Sequence, residues 1–366
     1  MVLDKDDKNR VQRRLALLLL ALIVFSGNLY SPLAAAEKIY TLKFATLIPT
    51  GTKWTKTLDD WVKDVELKSH GRIKFKMYPG GVMGDEPDVL RKIRKGQLHG
   101  GLFSGYGIGR IYSPARILEL PFLFKNTDES DYVRNRLMPE IETGFRESGF
   151  ELLGWPEVGF IHFFSKHKIE SIEDMRHSRI WLWQGDPLGE ALFKAADINP
   201  VPLSIIDVYP QLSAKHGSID TVYMSTFGAI ALQWYSKVSY ASHISVTNAI
   251  GAVVVSSAFF NKLPDDLQKL LRDSGIAASD IIREQTRQEN TKSKQLLIDN
   301  GIKFLWDWDT AELDEFIAIR DKAAAHLIKT NYIPQDFFTK TKSYLEAYRR
   351  EAGKNITPTN KLPDKN

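Results

Sequence analysis

The spacing of apolar positions changes repeatedly along the chain. Tyr40-Thr-Leu-Lys-Phe-Ala-Thr-Leu predicts a buried first strand. A Pro49-Thr-Gly turn follows. Trp54, Leu58, Trp61, Val62 and Val65 then recur at helical spacing, which predicts a helix over about 53–68. Gly71 ends it, and Ile73-Lys-Phe-Lys-Met-Tyr alternates as a strand does. Val89, Leu90 and Ile93 form the inner face of a second helix running through Lys95, with Gly96 placed to cap it. Leu102-Phe103 predicts the next buried strand, and Glu119-Leu-Pro-Phe-Leu-Phe a rigid apolar turn.

Farther on, Phe150 to Phe164 holds two short strands around Trp155-Pro156, and Ile250 to Phe260 begins as a buried strand. Leu263-Pro264-Asp-Asp opens a helix, with proline in its first turn and aspartates at its positive dipole end. A long helical pattern continues to about Asn300. Asp309-Thr-Ala-Glu312 is a capping box for a helix through about Thr330. Alternation of this kind predicts an α/β fold of mixed, mostly parallel sheets flanked by helices. Ligands in such folds sit where loops converge beyond the strand ends.

The first 36 residues have a different pattern. A polar, net basic start ends at Arg13-Arg14, an apolar run follows from Leu15 to Phe25, and Ala34-Ala35-Ala36 precedes Glu37. This is the layout of a cleavable signal peptide, with an apolar run about half the ~20 residues needed to span a bilayer. It predicts a periplasmic protein with no stable membrane insertion. The remaining 330 residues suit two domains. The polar segment 353–366 is expected to be a disordered tail.

Composition narrows the chemistry. The chain has 49 basic and 45 acidic residues, of which 44 and 42 lie after residue 36, so nothing implies a nucleic-acid partner. Cysteine is absent, which excludes thiol nucleophiles, zinc–thiolate sites and disulfide staples. The eight histidines show no metal-ligand spacing. Gly105-Tyr-Gly107-Ile-Gly109 lacks the close of a dinucleotide fingerprint, and there is no nucleophile elbow. Asp85-Glu86 are explained by dipole capping at a helix start. No enzyme and no cofactor is expected.

Several blocks, in order, resemble the solute receptors of TRAP transporters, the DctP family. They are Gly80 to Leu102, Leu120-Pro-Phe-Leu-Phe, and Ile172 to Asp220 with Asn199-Pro-Val-Pro-Leu and Asp207-Val-Tyr-Pro-Gln-Leu. The resemblance covers roughly Lys43 to Ala347. It implies a two-lobed, Venus-flytrap receptor that closes over a small solute. The solute would pass to small and large integral-membrane TRAP subunits. It also implies lobe I from 37–158 plus about 249–285, and lobe II from 159–248 plus about 286–350, with a long helix spanning both. A ligand-sensing receptor for a membrane kinase or chemoreceptor would share the fold.

The resemblance also locates a binding cleft, residue by residue. In the family a strand carries an arginine that grips the solute's carboxylate. Here the matching stretch is Asp174-Met-Arg-His-Ser-Arg-Ile-Trp-Leu, with Trp181 in the arginine's place. Strand alternation puts Trp183 on the same face as Trp181. Ile161 matches a second position, or His162 if the register slips by one. Met224 stands where the family commonly has a ligand-binding asparagine, and Ser104 lies near a polar position in the first lobe. Gln184, Asp186, Tyr106 and Tyr223 are polar groups available to orient a ligand. A carboxylate enclosed without a charged partner is costly. Tryptophan, methionine and isoleucine instead imply an apolar or aromatic solute, or a cation boxed by indole faces. Two alternatives stand beside this: the tryptophans fill a core or lobe interface, or Arg179 or Arg110 reaches the cleft and grips an acid.

Overall fold

The computed structural model describes residues 10, 37–306, 310–351 and 353. The chain divides into two units, Met1–Ile39 and Tyr40–Asn366, and the following concerns the second. The apolar run and cleavage site of the expected leader, the Asp309 cap and the tail after Gly353 lie outside the described residues.

Eleven strands follow the chain among the described residues: β1 (Tyr40–Thr46), β2 (Ile73–Tyr78), β3 (Gly100–Ser104), β4 (Phe150–Gly154), β5 (Glu157–Ser165), β6 (Trp181–Trp183), β7 (Val201–Leu203), β8 (Thr221–Ser225), β9 (Tyr240–Ser242), β10 (Asn248–Ser256) and β11 (Lys303–Leu305). β2, β1 and β3 pair in parallel at one end of the large sheet, and β9 with β11 at the other. The nine-residue strands β5 and β10 join the two ends. β10 runs antiparallel to β3, β4 and β5, and β5 antiparallel to β8 and β9. The α/β class is as the pattern implies, and the antiparallel ladders arise where the chain crosses between the two ends. β6 and β7 form a small parallel pair, tied to β8 by a bridge between Ile180 and Thr221.

The helices follow the predicted stripes. On Lys53–Lys68, Trp54, Leu58, Trp61 and Val65 are buried against β1 and a second helix. That second helix, Asp265–Asp299, runs unbroken through Gly275. A Cβ at Gly275 would sit 2.8 Å from the Leu153 carbonyl, so glycine here lets the helix lie close on β4. The helix packs on Lys53–Lys68, on β4 and β5, and on Thr226–Ala231. Trp54 anchors it through an indole hydrogen bond to Thr286 (2.8 Å). Glu86–Arg94 ends as expected: Gly96 adopts φ +71° and its N–H reaches the Ile93 carbonyl, while that of Gln97 reaches Lys92.

Candidate functional site: an aromatic cavity with a neutralised arginine

A cavity of about 270 Å³ lies between the strand ends. Its walls come from β1, β3, β5, β6 and β8 and from the helices Gly105–Ile111, Pro187–Ala195 and Thr310–Lys329. Of the nine residues singled out from the sequence, eight line it, namely Ser104, Tyr106, Ile161, Trp181, Trp183, Asp186, Tyr223 and Met224, while Gln184 does not.

Local geometry explains the placement. On β6, Trp181 and Trp183 share one face, while Leu182 packs into a different apolar cluster with Met175 and Phe193. Trp181 is 1% exposed and stacks on Tyr223, with ring centroids 4.8 Å apart and planes 21° apart. Its indole N–H donates to the Leu203 carbonyl (3.0 Å), and Trp234 meets it edge-on. It therefore belongs to an apolar core cluster and borders the cavity at once. Trp183 lies against Tyr106, centroids 4.8 Å apart, and the Tyr106 hydroxyl donates to the Gln184 carbonyl (2.6 Å). Burial pushes the Tyr223 phenol up, so it stays protonated; its oxygen accepts the Trp183 N–H (3.3 Å).

On β5 the register follows Ile161: Ile161 and Phe163 line the cavity. His162 points elsewhere, with Nδ1 3.0 Å from the Ser242 carbonyl and its ring edge-on to Phe304. Burial lowers its pKa to about 4, so the imidazole is neutral and Nδ1–H is the donor.

The cations are not where the sequence pointed. Arg179 pairs with Asp220 (2.9 Å) and the Gly217 carbonyl, outside the cavity lining. Arg110 donates to the Tyr106 hydroxyl (2.8 Å) and the Gly185 carbonyl (3.3 Å), behind the lining. Among the described residues, the basic side chain that lines the cavity is Arg116, which sequence reasoning missed. It is 4% exposed. Its two terminal nitrogens donate to Asp186 (2.9 and 3.1 Å). Its Nε lies 2.6 Å from Glu119 Oε2, a close ion pair set off the axis of a hydrogen bond. Burial works against the charge of Arg116, but Asp186 and Glu119 outweigh it and keep the guanidinium charged. Glu119 lies above its usual pKa because burial exceeds the pull of Arg116, as expected when two carboxylates share one cation.

One more buried acid borders the cavity. Glu86 accepts from the Ser104 N–H (2.7 Å), the Ser104 hydroxyl (3.0 Å) and the Gly107 N–H (2.6 Å). Burial nonetheless pushes it up to about 8. Ser104 is also the N-cap of Gly105–Ile111. The glycines of that helix make room for buried side chains. A Cβ at Gly105 would meet Glu119 at 1.9 Å, one at Gly107 would meet Glu86 at 2.6 Å, and one at Gly109 would meet the Tyr332 hydroxyl at 2.3 Å. Among the described residues no three side chains are grouped to hold a metal, and no helix is long and apolar enough to cross a membrane.

Comparison with known proteins agrees with this architecture. A solute-binding protein of Chromohalobacter salexigens is 26% identical over 253 residues, 68% of this chain and 74% of its own. The 2,3-diketo-L-gulonate-binding periplasmic protein of Escherichia coli is 20% identical over 252 residues, 67% of this chain and 74% of its own. A TRAP periplasmic solute-binding protein from Ralstonia eutropha, solved with bound (S)-2-acetolactate, superposes with a TM-score of 0.77 at 20% identity, covering 84% of this chain and 99% of that one. The two-lobed α/β receptor fold implied by the sequence blocks is the fold of that neighbour. Residues 44–324 match the profile of the DctP family, "bacterial extracellular solute-binding protein, family 7", and the chain belongs to that family of TRAP solute receptors.

Proposed function

We propose that the protein captures a small, largely apolar or aromatic solute in the periplasm and delivers it to the small and large membrane subunits of a TRAP transporter. It works by stoichiometric binding without turnover. One lobe comprises 37–158 plus about 249–285, and the other 159–248 plus about 286–350. Packing of the helix Asp265–Asp299 on elements of both segments supports that division. Solute contacts from both lobes favour the closed state, which the membrane subunits recognise.

The observation that carries the ligand class is the pairing of Arg116 with both Asp186 and Glu119. A solute carboxylate entering the cavity meets a guanidinium already paired with two carboxyl groups. Around it stand Trp181, Trp183, Tyr223 and Met224, which offer area and polarizable surface. Acetolactate and diketogulonate, bound by the relatives named above, are carboxylates, and the solute proposed here differs from them in class. A second reading keeps a carboxylate ligand: Asp186 swings away and Arg116 becomes the gripping cation.

Native mass spectrometry on protein purified from its source, followed by release and identification of any bound molecule, tests the choice. An aromatic or long-chain solute supports the first reading, and a C4 or keto acid the second. With the solute in hand, Trp181→Ala lowers its affinity; unchanged affinity removes Trp181 from the site.

A further inference from the structure

The four consecutive residues Trp183 to Asp186 each bond to a side chain from the segment 85–116. The Trp183 indole N–H donates to Asp85 Oδ2 (2.9 Å), and the Gln184 carbonyl accepts from the Tyr106 hydroxyl (2.6 Å). The Gly185 carbonyl accepts from Arg110 (3.3 Å), and Asp186 takes two bonds from Arg116. Under the lobe division proposed above, all of these bonds cross from one lobe to the other.

Asp85 differs from the other members of this strip. It is 7% exposed and lies outside the cavity lining. One oxygen caps its own helix, accepting the Glu86 N–H (2.7 Å). The other gathers three donors from the far segment: the Trp183 indole, the Ile205 N–H (3.1 Å) and the Ser204 hydroxyl. Charge-assisted bonds of this kind are roughly twice as strong as neutral ones. Trp181 offers the contrast. Its indole is held by Leu203, on the neighbouring strand β7, so its orientation does not depend on the other lobe. The orientation of Trp183 does.

We propose that Asp85 is the positioning residue of solute capture: it turns Trp183 onto the cavity as the lobes meet, and holds part of the solute-free population closed. The aromatic wall is then completed by closure. This inference rests on the two-lobe reading.

The absence of cysteine permits a direct test. Lys95→Cys and Lys215→Cys place spin labels on exposed positions of the two proposed lobes, and pulsed electron paramagnetic resonance measures their separation in solute-free protein. A short-distance population is expected, reduced at least threefold by Asp85→Asn and less by Ser204→Ala, with urea unfolding run alongside to confirm folded protein. Trp183→Phe, which keeps a ring but loses the indole N–H, gives the same shift if Asp85→Asn does not fold. Two populations whose ratio Asp85→Asn and Trp183→Phe leave unchanged overturn the role of Asp85 and leave lobe closure standing. A single distance in the parent protein, unmoved by these variants and by Asp186→Asn, overturns both.

Discussion

Arg116 and Asp186, seventy positions apart in the chain, meet through two parallel hydrogen bonds of 2.9 and 3.1 Å with both side chains buried. Glu119 still offsets the guanidinium when the Asp186 charge is lost, so the penalty stays below the about 3–5 kcal/mol of a buried charge left without a partner. Asp186→Asn is expected to lower the urea unfolding free energy by about 1–3 kcal/mol. It also releases part of the guanidinium toward the cavity. Benzoate, which combines an aromatic ring with a carboxylate, is expected to bind the variant at least tenfold more tightly than the parent by calorimetric titration. Equal affinity would mean that Arg116 is not accessible to solute.

Trp181 contributes stability as well as cavity wall. It is among the largest fully buried side chains and packs on Tyr223 and Trp234. Trp181→Ala is expected to cost about 3–5 kcal/mol of stability. Trp181→Phe keeps an aromatic face and should lose less, mainly through the vacated volume and the lost bond to Leu203. Chemical denaturation of both variants checks this. Equal losses would show that the indole N–H or the outer ring carries the whole effect.

His162 predicts a pH dependence with a definite sign. Its pKa is about 4 in the folded protein against 6.5 for the free side chain. Above 6.5 both states are neutral and the group contributes nothing. As pH falls from 6.5 toward 4 only the unfolded chain takes up the proton, so stability declines, by roughly 3 kcal/mol in total. Glu86, pushed up to about 8, acts oppositely: between 4.5 and 8 the folded state keeps a proton that the unfolded chain loses, and stability falls as pH rises. Comparing His162→Gln with the parent isolates the first effect. The variant should lose less stability between pH 7 and pH 4.5, and parallel curves would refute the assignment.

Gly105→Ala is expected to be strongly destabilising although it lies in a helix, where alanine is ordinarily preferred by about 1 kcal/mol. The new Cβ would overlap the carboxyl group of Glu119, which is tied to Arg116 and to the Ile250 N–H (2.8 Å). Thermal unfolding of Gly105→Ala and of the double variant Gly105→Ala/Glu119→Ala tests the cause. The second substitution should recover part of the loss by making room.

The apolar periodicities alone determined much of this protein. The stripe Trp54–Leu58–Trp61–Val65, the buried strands at Tyr40 and Ile250, and the long helix before Asn300 arise from local spacing, which any one segment displays by itself. The alternation along β6 likewise put Trp181 and Trp183 on one face, and the ordered blocks implied the family. Tertiary structure decided the charges. Arg116 sits in a short 3₁₀ segment with no periodic pattern, and its neutralisation depends on Asp186, which reaches it only after the chain has crossed between the ends of the sheet. Asp85 displays a helix cap in the sequence, but its three further donors come from residues 183–205. The Gly105–Gly109 stretch carries no local sign of the carboxylates and phenol that it accommodates. Hydrophobic pattern is a property of neighbours along the chain. Pairing of buried charge is a property of neighbours in space, so only the folded molecule shows that the cavity's arginine is already spoken for.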